Sequence, residues 1–414
     1  MTTGIFRFSK ASGVKRLRLA RCFLCITVCF GLILLEGLEV RASNDAGSFR
    51  TVVDQRGAKV KIPSEIKRVV SICDGFVEGV MTILGVQRAI VGLGSSCVPK
   101  HWEHTYPTVS GESYTYTNGM NTVTHLNPRF MELPVVIEAE TGVNYETLAG
   151  LHPDVVFLRA GDCMLGDSEE KTQKAVQMIE ALGIPLIFLR GPNKFDSPDP
   201  ATLSEEIRIV GRVFGKEQEA SELAVRLENM VRLIAERTRD IPNSERVSVL
   251  VLGLSPKARS AGGAGEVRGL STVESYFVED LVHANNAYRG KGAWNMLGAE
   301  HVLALDPDVI VLMTSYGYHP PRELYEAPYY QDLKELKAVK GRRVTALPWT
   351  PCNCQKRVEY PIEVMVVAKA AYPERFADID LNIWLLDFYQ QVYGVDRKTA
   401  EELRAVQWMD WATP

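Results

Sequence analysis

The chain has 414 residues, 46% hydrophobic and 24% charged, with 47 basic against 51 acidic side chains and a formal net charge of −4. That balance excludes an intrinsically disordered chain and leaves enough apolar material for two cores. No long basic stripe occurs beyond the first residues, which argues against a nucleic-acid partner.

At the N-terminus Lys10, Lys15, Arg16, Arg18 and Arg21 precede the apolar run from Cys22 to Leu35, and Val40-Arg41-Ala42 follows. This is the order of a secretory signal over residues 1–42, with small residues at the cleavage point. The run is shorter than the roughly 20 residues a spanning helix needs, so cleavage near Ala42 is expected rather than a retained anchor. Leu19-Ala-Arg-Cys22 precedes the apolar core instead of following it, which argues against a lipid anchor. Cys22, Cys25 and Cys29 would leave with the signal, and Cys73, Cys97, Cys163, Cys352 and Cys354 would remain. An odd number in an exported protein means that disulfides within the chain cannot account for all of them.

Thr51 to Pro63 alternates around an Asp-to-Gly turn and predicts a β-hairpin. Lys67 to Cys73 follows as a buried strand, Phe76 to Leu84 as a helix ended by Gly85, and Ala89 to Leu93 as the next strand. Residues 97–132 are polar and rich in His, Tyr and Asn, and are expected to be irregular and either functional or mobile. Then comes a pattern that the chain uses twice. Glu146-Thr-Leu-Ala-Gly-Leu151-His-Pro153-Asp154-Val155-Val156-Phe-Leu158 returns as Glu300-His-Val-Leu-Ala-Leu305-Asp-Pro307-Asp308-Val309-Ile310-Val-Leu312, 154 residues later. Each copy predicts a short amphipathic helix opened by a glutamate, a Pro-Asp turn, and an apolar β-branched strand of the buried parallel type. Between the copies lie a helix around Thr172 to Leu182 and a strand from Pro185 to Leu189. An uninterrupted helical pattern from Lys216 to Arg239 is broken at Pro242, and a new strand runs from Arg246 to Leu252.

The duplication predicts an α/β fold of two Rossmann-like lobes with a ligand cleft between them. The expected divisions are an N-terminal lobe over 50–215, a rigid linker helix over 216–242 and a C-terminal lobe over 243–414. In open α/β sheets ligands lie outside the carboxyl ends of the strands, which directs attention to the loops there.

The hairpin TVVDQRGAKVKIP, the unit KRVVSICDGFVEGVMTILG, the segment LPVVIEAETGVNYETLAGLHPDVVFLRAG, the long charged helix and the second Pro-Asp unit come in a telling order. Over about residues 50–395 the chain resembles the helix-linked periplasmic substrate-binding proteins of ABC importers that carry ferric siderophores, haem or cobalamin. The resemblance implies a non-catalytic, monomeric, periplasmic receptor with no intrinsic cofactor, its ligand a metal chelate held between lobes that move only slightly. It also implies that one glutamate on each lobe docks onto arginines of a permease dimer, itself joined to an ATPase. The matching positions are Glu146 and Glu300, and paired charges suit a two-fold partner. Both are also carboxylates at helix starts, where the helix dipole alone favours them.

Read from the strand ends, the cleft loops offer Asp74, Trp102, Arg159, Tyr316, Tyr318, Trp349 and Arg357 as ligand-binding candidates. Aromatic rings can stack on a planar or catecholate chelate, and guanidinium takes a carboxylate or phosphate bidentately. Cys352-Asn-Cys354 is spaced too tightly for a structural zinc clip. A disulfide to a loop cysteine such as Cys97 or Cys163, a soft-metal thiolate site, and two inert thiols remain open readings. His101 and His104 could share one ligand, with His319 supplied from the other lobe. A secreted hydrolase is disfavoured by the lack of a Gly-x-Ser-x-Gly elbow or a His-Glu-x-x-His helix. A metal sensor or metallochaperone on the same lobes is the alternative to transport.

Overall fold

The computed structural model describes residues 48–138, 142–161, 165, 168–314, 319–349 and 356–412. The leader, Cys163, Tyr316, Tyr318, Cys352 and Cys354 lie outside the described residues. Among the described residues no helix is long and apolar enough to cross a membrane.

The chain opens with the antiparallel hairpin β1 (Phe49–Val53) and β2 (Lys59–Pro63). Strand β3 (Val69–Ile72), helix α1 (Phe76–Ile83) and strand β4 (Ile90–Leu93) follow. A second hairpin, β5 (Trp102–Pro107) with β6 (Ser113–Gly119), leads into α2 (Thr122–Leu126). The short pair β7 (Ile137–Glu138) and β8 (Gly142–Val143) precedes α3 (Tyr145–Gly150), β9 (Val155–Ala160), α4 (Glu169–Ala181) and β10 (Leu186–Arg190). Four of these strands form one parallel sheet in the order β10-β9-β3-β4. Both its faces are covered, which is why its strands read as continuous apolar runs. The two-residue period still divides them. Val69, Val155, Phe157, Ile187 and Leu189 face one core, and Val70, Ile72, Val156, Leu158, Leu186 and Phe188 face another.

The crossing to the second lobe is made by a pair of helices. Helix α5 (Ala201–Phe214) packs on α1, β1 and β10, and α6 (Glu217–Glu236) packs on α5. Between them Gly215 takes the left-handed conformation, φ 64°, that ends α5 and reverses the chain. The sequence reading placed a long helix over nearly the same residues as α6 but did not mark α5, whose apolar face is interrupted by charged residues.

The second lobe contains β11 (Ser248–Gly253), α7 (Pro256–Ser260), β12 (Gly265–Val267), α8 (Val273–Tyr276), β13 (Asn285–Asn286) and β14 (Asn295–Leu297). It continues through α9 (Ala299–Leu305), β15 (Val309–Met313), α10 (Pro321–Glu326), α11 (Lys337–Lys340) and β16 (Val344–Ala346). It ends in α12 (Tyr360–Ala371), α13 (Leu381–Tyr393) and α14 (Arg397–Val406), with α12 packed on α6. Strands β13, β15 and β16 run parallel with β11 or its neighbour, and β12 and β14 add an antiparallel edge.

The repeated pattern does the same structural work in both lobes. His152 and Asp306, each just before the proline, take left-handed conformations with φ 44° and 35° and so stop α3 and α9. The next aspartate then fixes the start of a neighbouring strand. Asp154 accepts the backbone N–H groups of Lys67 at 2.7 Å and Arg68 at 2.8 Å, and Asp308 accepts that of Ser248 at 3.0 Å.

Residues 97–132, expected to be irregular, instead hold the hairpin β5–β6 and α2. Trp102, His104, Tyr106, Tyr114 and Tyr116 are the more buried residues of an alternating pattern, so the period was present but carried by aromatic and polar residues. The hairpin reaches the second lobe, where Tyr106 joins the core of that lobe. Val109 N–H donates to the Glu326 carbonyl at 2.8 Å, and Trp408 Nε1 to the Thr117 carbonyl at 2.8 Å. A Cβ on Gly119 would stand 2.4 Å from the Trp408 ring. Gly119→Ala is therefore expected to push the hairpin off Trp408 and lower unfolding free energy by about 1–3 kcal/mol, read by urea denaturation. An unchanged midpoint would show that the hairpin is not packed there.

Candidate functional site

Where the hairpin meets the second lobe, three side chains converge. His104 comes from β5, His319 lies just ahead of α10, and Glu323 stands in its first turn. Pro321 stands at the first position of α10, where its fixed φ suits the helix, and the four-residue spacing across that start brings His319 and Glu323 together. His104 Nε2 lies 3.0 Å and His319 Nδ1 2.9 Å from the same oxygen, Glu323 Oε2. Tyr329 donates its hydroxyl to the other oxygen, Oε1, at 2.6 Å, and Arg259 Nη1 stands 3.8 Å from it. Burial works to raise the Glu323 carboxyl, yet the hydrogen bonds from His104 and His319 hold it well below the usual carboxylate range. An ionised carboxylate only accepts, so both ring nitrogens present N–H to it. The side chains of His319 and Glu323 are fully buried and that of His104 nearly so.

From His104 a chain of rings runs along the hairpin. His104 is 5.1 Å from His319 and 6.1 Å from Tyr106 between ring centroids; Tyr114, Tyr116 and Trp408 continue the line at 5.8, 5.0 and 5.6 Å. Trp349 closes it, 4.6 Å from Trp408 and 5.7 Å from Trp102. The indole N–H groups of Trp102 and Trp349 are buried without an acceptor among the described residues. Such orphaned donors are uncommon in folded proteins and call for an explanation. A cavity of ≈ 580 Å³ lies along β6, lined by Tyr114, Tyr116, Arg322, Trp408 and Trp411 among others.

A second polar group links the lobes. Arg159, from the end of β9, is paired with Glu206 of α5 through Nε at 2.7 Å and Nη2 at 2.8 Å, and donates from Nη1 to the Lys356 carbonyl at 2.9 Å. Lys356 Nζ in turn lies 3.1 Å from Glu274 and pairs with Glu363, while Arg268 stands 3.7 Å from Glu274.

These positions sort the sequence candidates. Arg159 is paired with Glu206 and 1% exposed, so it braces the lobes. Trp349 is fully buried and backs the partly exposed Trp102. Asp74 is buried just ahead of α1, and Arg357 approaches the next residue, its Nε 3.4 Å from where a Cβ on Gly75 would stand. His101 is exposed just ahead of β5 and does not join His104, His319 and Glu323. Glu146 and Glu300 are both exposed in the first turns of α3 and α9. Tyr316, Tyr318, Cys352 and Cys354 lie outside the described residues. Glu323, Tyr329 and Arg259 were not singled out from sequence; the His-Pro-Pro-Arg-Glu run at a helix start was the available signal for Glu323.

A profile of the periplasmic binding protein family matches residues 98–349. Among curated relatives, the molybdate-binding protein MolA of Haemophilus influenzae is 24% identical over 385 residues, 88% of this chain and 95% of MolA. A periplasmic solute-binding protein of Veillonella parvula superposes with a TM-score of 0.65 at 20% identity, covering 87% of this chain and 98% of that one. Helicobacter pylori CeuE with Ni(II) bound gives 0.60 at 17% identity, covering 85% and 99%. With two sheet-built lobes and a match across 98–349, the chain belongs to the periplasmic binding protein family, a family of binding proteins and not of enzymes.

Proposed function

We propose that the chain is the exported solute receptor of an ABC importer, its leader removed near Ala42, and that it carries a metal-bearing solute between its lobes. The observation that carries this reading is the meeting of His104, from the first lobe's hairpin, with His319 and Glu323 of the second beside an aromatic wall. Imidazole and carboxylate together suit a metal, and a wall of aromatic rings beside them suits an organic shell. The relatives named for molybdate and Ni(II) support the same broad class of cargo, and the sequence resemblance supports a ferric siderophore, haem or corrinoid within it. Titrating the mature protein with haem, a ferric catecholate, a corrinoid and molybdate, and following tryptophan fluorescence, tests it. At least one should quench with saturation; no response to any of them overturns the metal-solute reading.

Delivery is the second half of the proposal. Glu146 and Glu300 stand exposed at equivalent places in two equivalent helices, as paired contacts to a two-fold permease require. Glu146→Arg with Glu300→Arg should leave solute affinity within about twofold and cut permease-dependent uptake by tenfold or more. Uptake unchanged by the double reversal would remove these two carboxylates from the docking surface.

A further inference from the structure

The geometry assigns to His104, His319 and Glu323 a site for a divalent first-row transition-metal ion, with an open coordination position for an anionic donor. As part of the cargo cleft the site rests on the function proposed above; as a metal site it stands on its own geometry. The three donor atoms lie within 4.8 Å of one another, and both nitrogens already point at one carboxylate oxygen, 3.0 and 2.9 Å away. A tetrahedral ion with bonds of about 2.0–2.1 Å holds its donors about 3.3 Å apart, so the two N···O separations of 3.0 and 2.9 Å open slightly and the carboxylate turns aside to admit the ion between the rings. It replaces the protons that now sit between each ring and Oε2. Two N–metal bonds and one O–metal bond form as the hydrated ion gives up that many waters, and each imidazole offers its lone pair by carrying its N–H on the other nitrogen.

The surroundings hold the donors as a metal site requires. Tyr329 and Arg259 engage Oε1, which leaves Oε2 as a single aimed ligand, and Arg259 is itself fixed by Tyr330 at 2.7 Å and by stacking over Tyr329 at 4.2 Å. The donor set selects the class of ion. Calcium prefers six to eight oxygens and magnesium an octahedron of oxygens, whereas two imidazoles and one carboxylate suit zinc, nickel, cobalt or ferrous iron and leave positions open. Charge selects what enters them. Arg259 already offsets Glu323, so a bound dication leaves two excess positive charges in a buried place, and an anionic donor on the solute offsets them. Because His104 belongs to the hairpin and the other two ligands to the second lobe, the same ion fastens the hairpin down.

Cobalt(II) chloride titrated into the purified mature protein tests the assignment, since bound Co2+ reports its ligands by visible d–d absorption. One equivalent should bind, and His104→Gln and Glu323→Gln should each weaken it by 100-fold or more. Tyr329→Phe should weaken it by about 10-fold, and His101→Gln should change nothing. Sodium azide should alter the spectrum by entering the open position. His104→Gln, on the rim of the cluster, is the decisive variant, its fold checked by circular dichroism. Absence of d–d absorption at millimolar Co2+, or an unaltered affinity in His104→Gln, overturns the metal site. A spectrum indifferent to azide overturns the open position. A protein that binds Co2+ here but supports no uptake in a permease-bearing host keeps the site and overturns the receptor reading instead.

Discussion

Lys356→Met is expected to lower the unfolding free energy by about 3–5 kcal/mol, because it strips the shared cation from two buried carboxylates. Lys356 is 1% exposed, 3.1 Å from Glu274 and paired with Glu363. A methionine fills similar space, so the loss isolates the charge. Arg268, at 3.7 Å, remains beside Glu274. The backbone consequence is shared across the lobes, since the Lys356 carbonyl is the acceptor for Arg159. Acid should reveal the same network. Burial works to raise the Glu274 carboxyl, but Lys356 and Arg268 outweigh it and bring it down to about 2 from an ordinary 4.5. A carboxylate with a depressed folded-state pKa adds stability that is complete above 4.5 and is lost as pH falls toward 2. The variant should therefore lose less between pH 5 and pH 2.5 than the parent does. Urea denaturation at several pH values measures both effects, and adding Glu274→Gln to Lys356→Met should restore part of the loss. A variant within about 0.5 kcal/mol of the parent at pH 7 would mean that the network contributes nothing net.

The two lobes were legible because their strands are buried on both faces and because the Pro-Asp turn is chemically specific. A proline that stops a helix and an aspartate that caps a neighbouring strand leave the same letters twice. The hairpin β5–β6 was not legible as a hairpin, since its inward positions carry Trp, His and Tyr in place of aliphatic residues, and its outward ones Thr and Glu. Arg159 was picked out correctly as lying at a strand's carboxyl end, but its partner Glu206 lies on α5, and a helix 47 residues away leaves no local sign of an ion pair. Histidine spacing misled for a simpler reason. Three residues apart, His101 and His104 could share a ligand only if the chain folded back between them; instead His101 stays exposed ahead of β5, and His104 packs on His319. Trp349 was read as a stacking surface for the solute, whereas the C-terminal segment brings Trp408 against it and buries it.

That burial carries the last expectation. Trp349→Ala should reduce stability by about 3–5 kcal/mol, in the range for deleting a large ring from a packed interior. The ring is fully buried between Trp102 and Trp408, and its backbone N–H donates to Gln407 at 2.9 Å, so neither neighbour can fold inward to fill the space without moving the hairpin or the C-terminus. A double-mutant cycle with Trp408→Ala should give a coupling of about 0.5–1.5 kcal/mol for the ring pair beyond their separate burial. The same variant separates wall from contact. If Trp349 acts through Trp102, Trp349→Ala should weaken the solute while Trp349→Phe, which keeps a ring behind Trp102, restores most of the affinity. Should Trp349→Ala instead lose under about 1 kcal/mol and all solute binding, the ring would be a direct contact in an open cleft and not the packed support that its burial indicates.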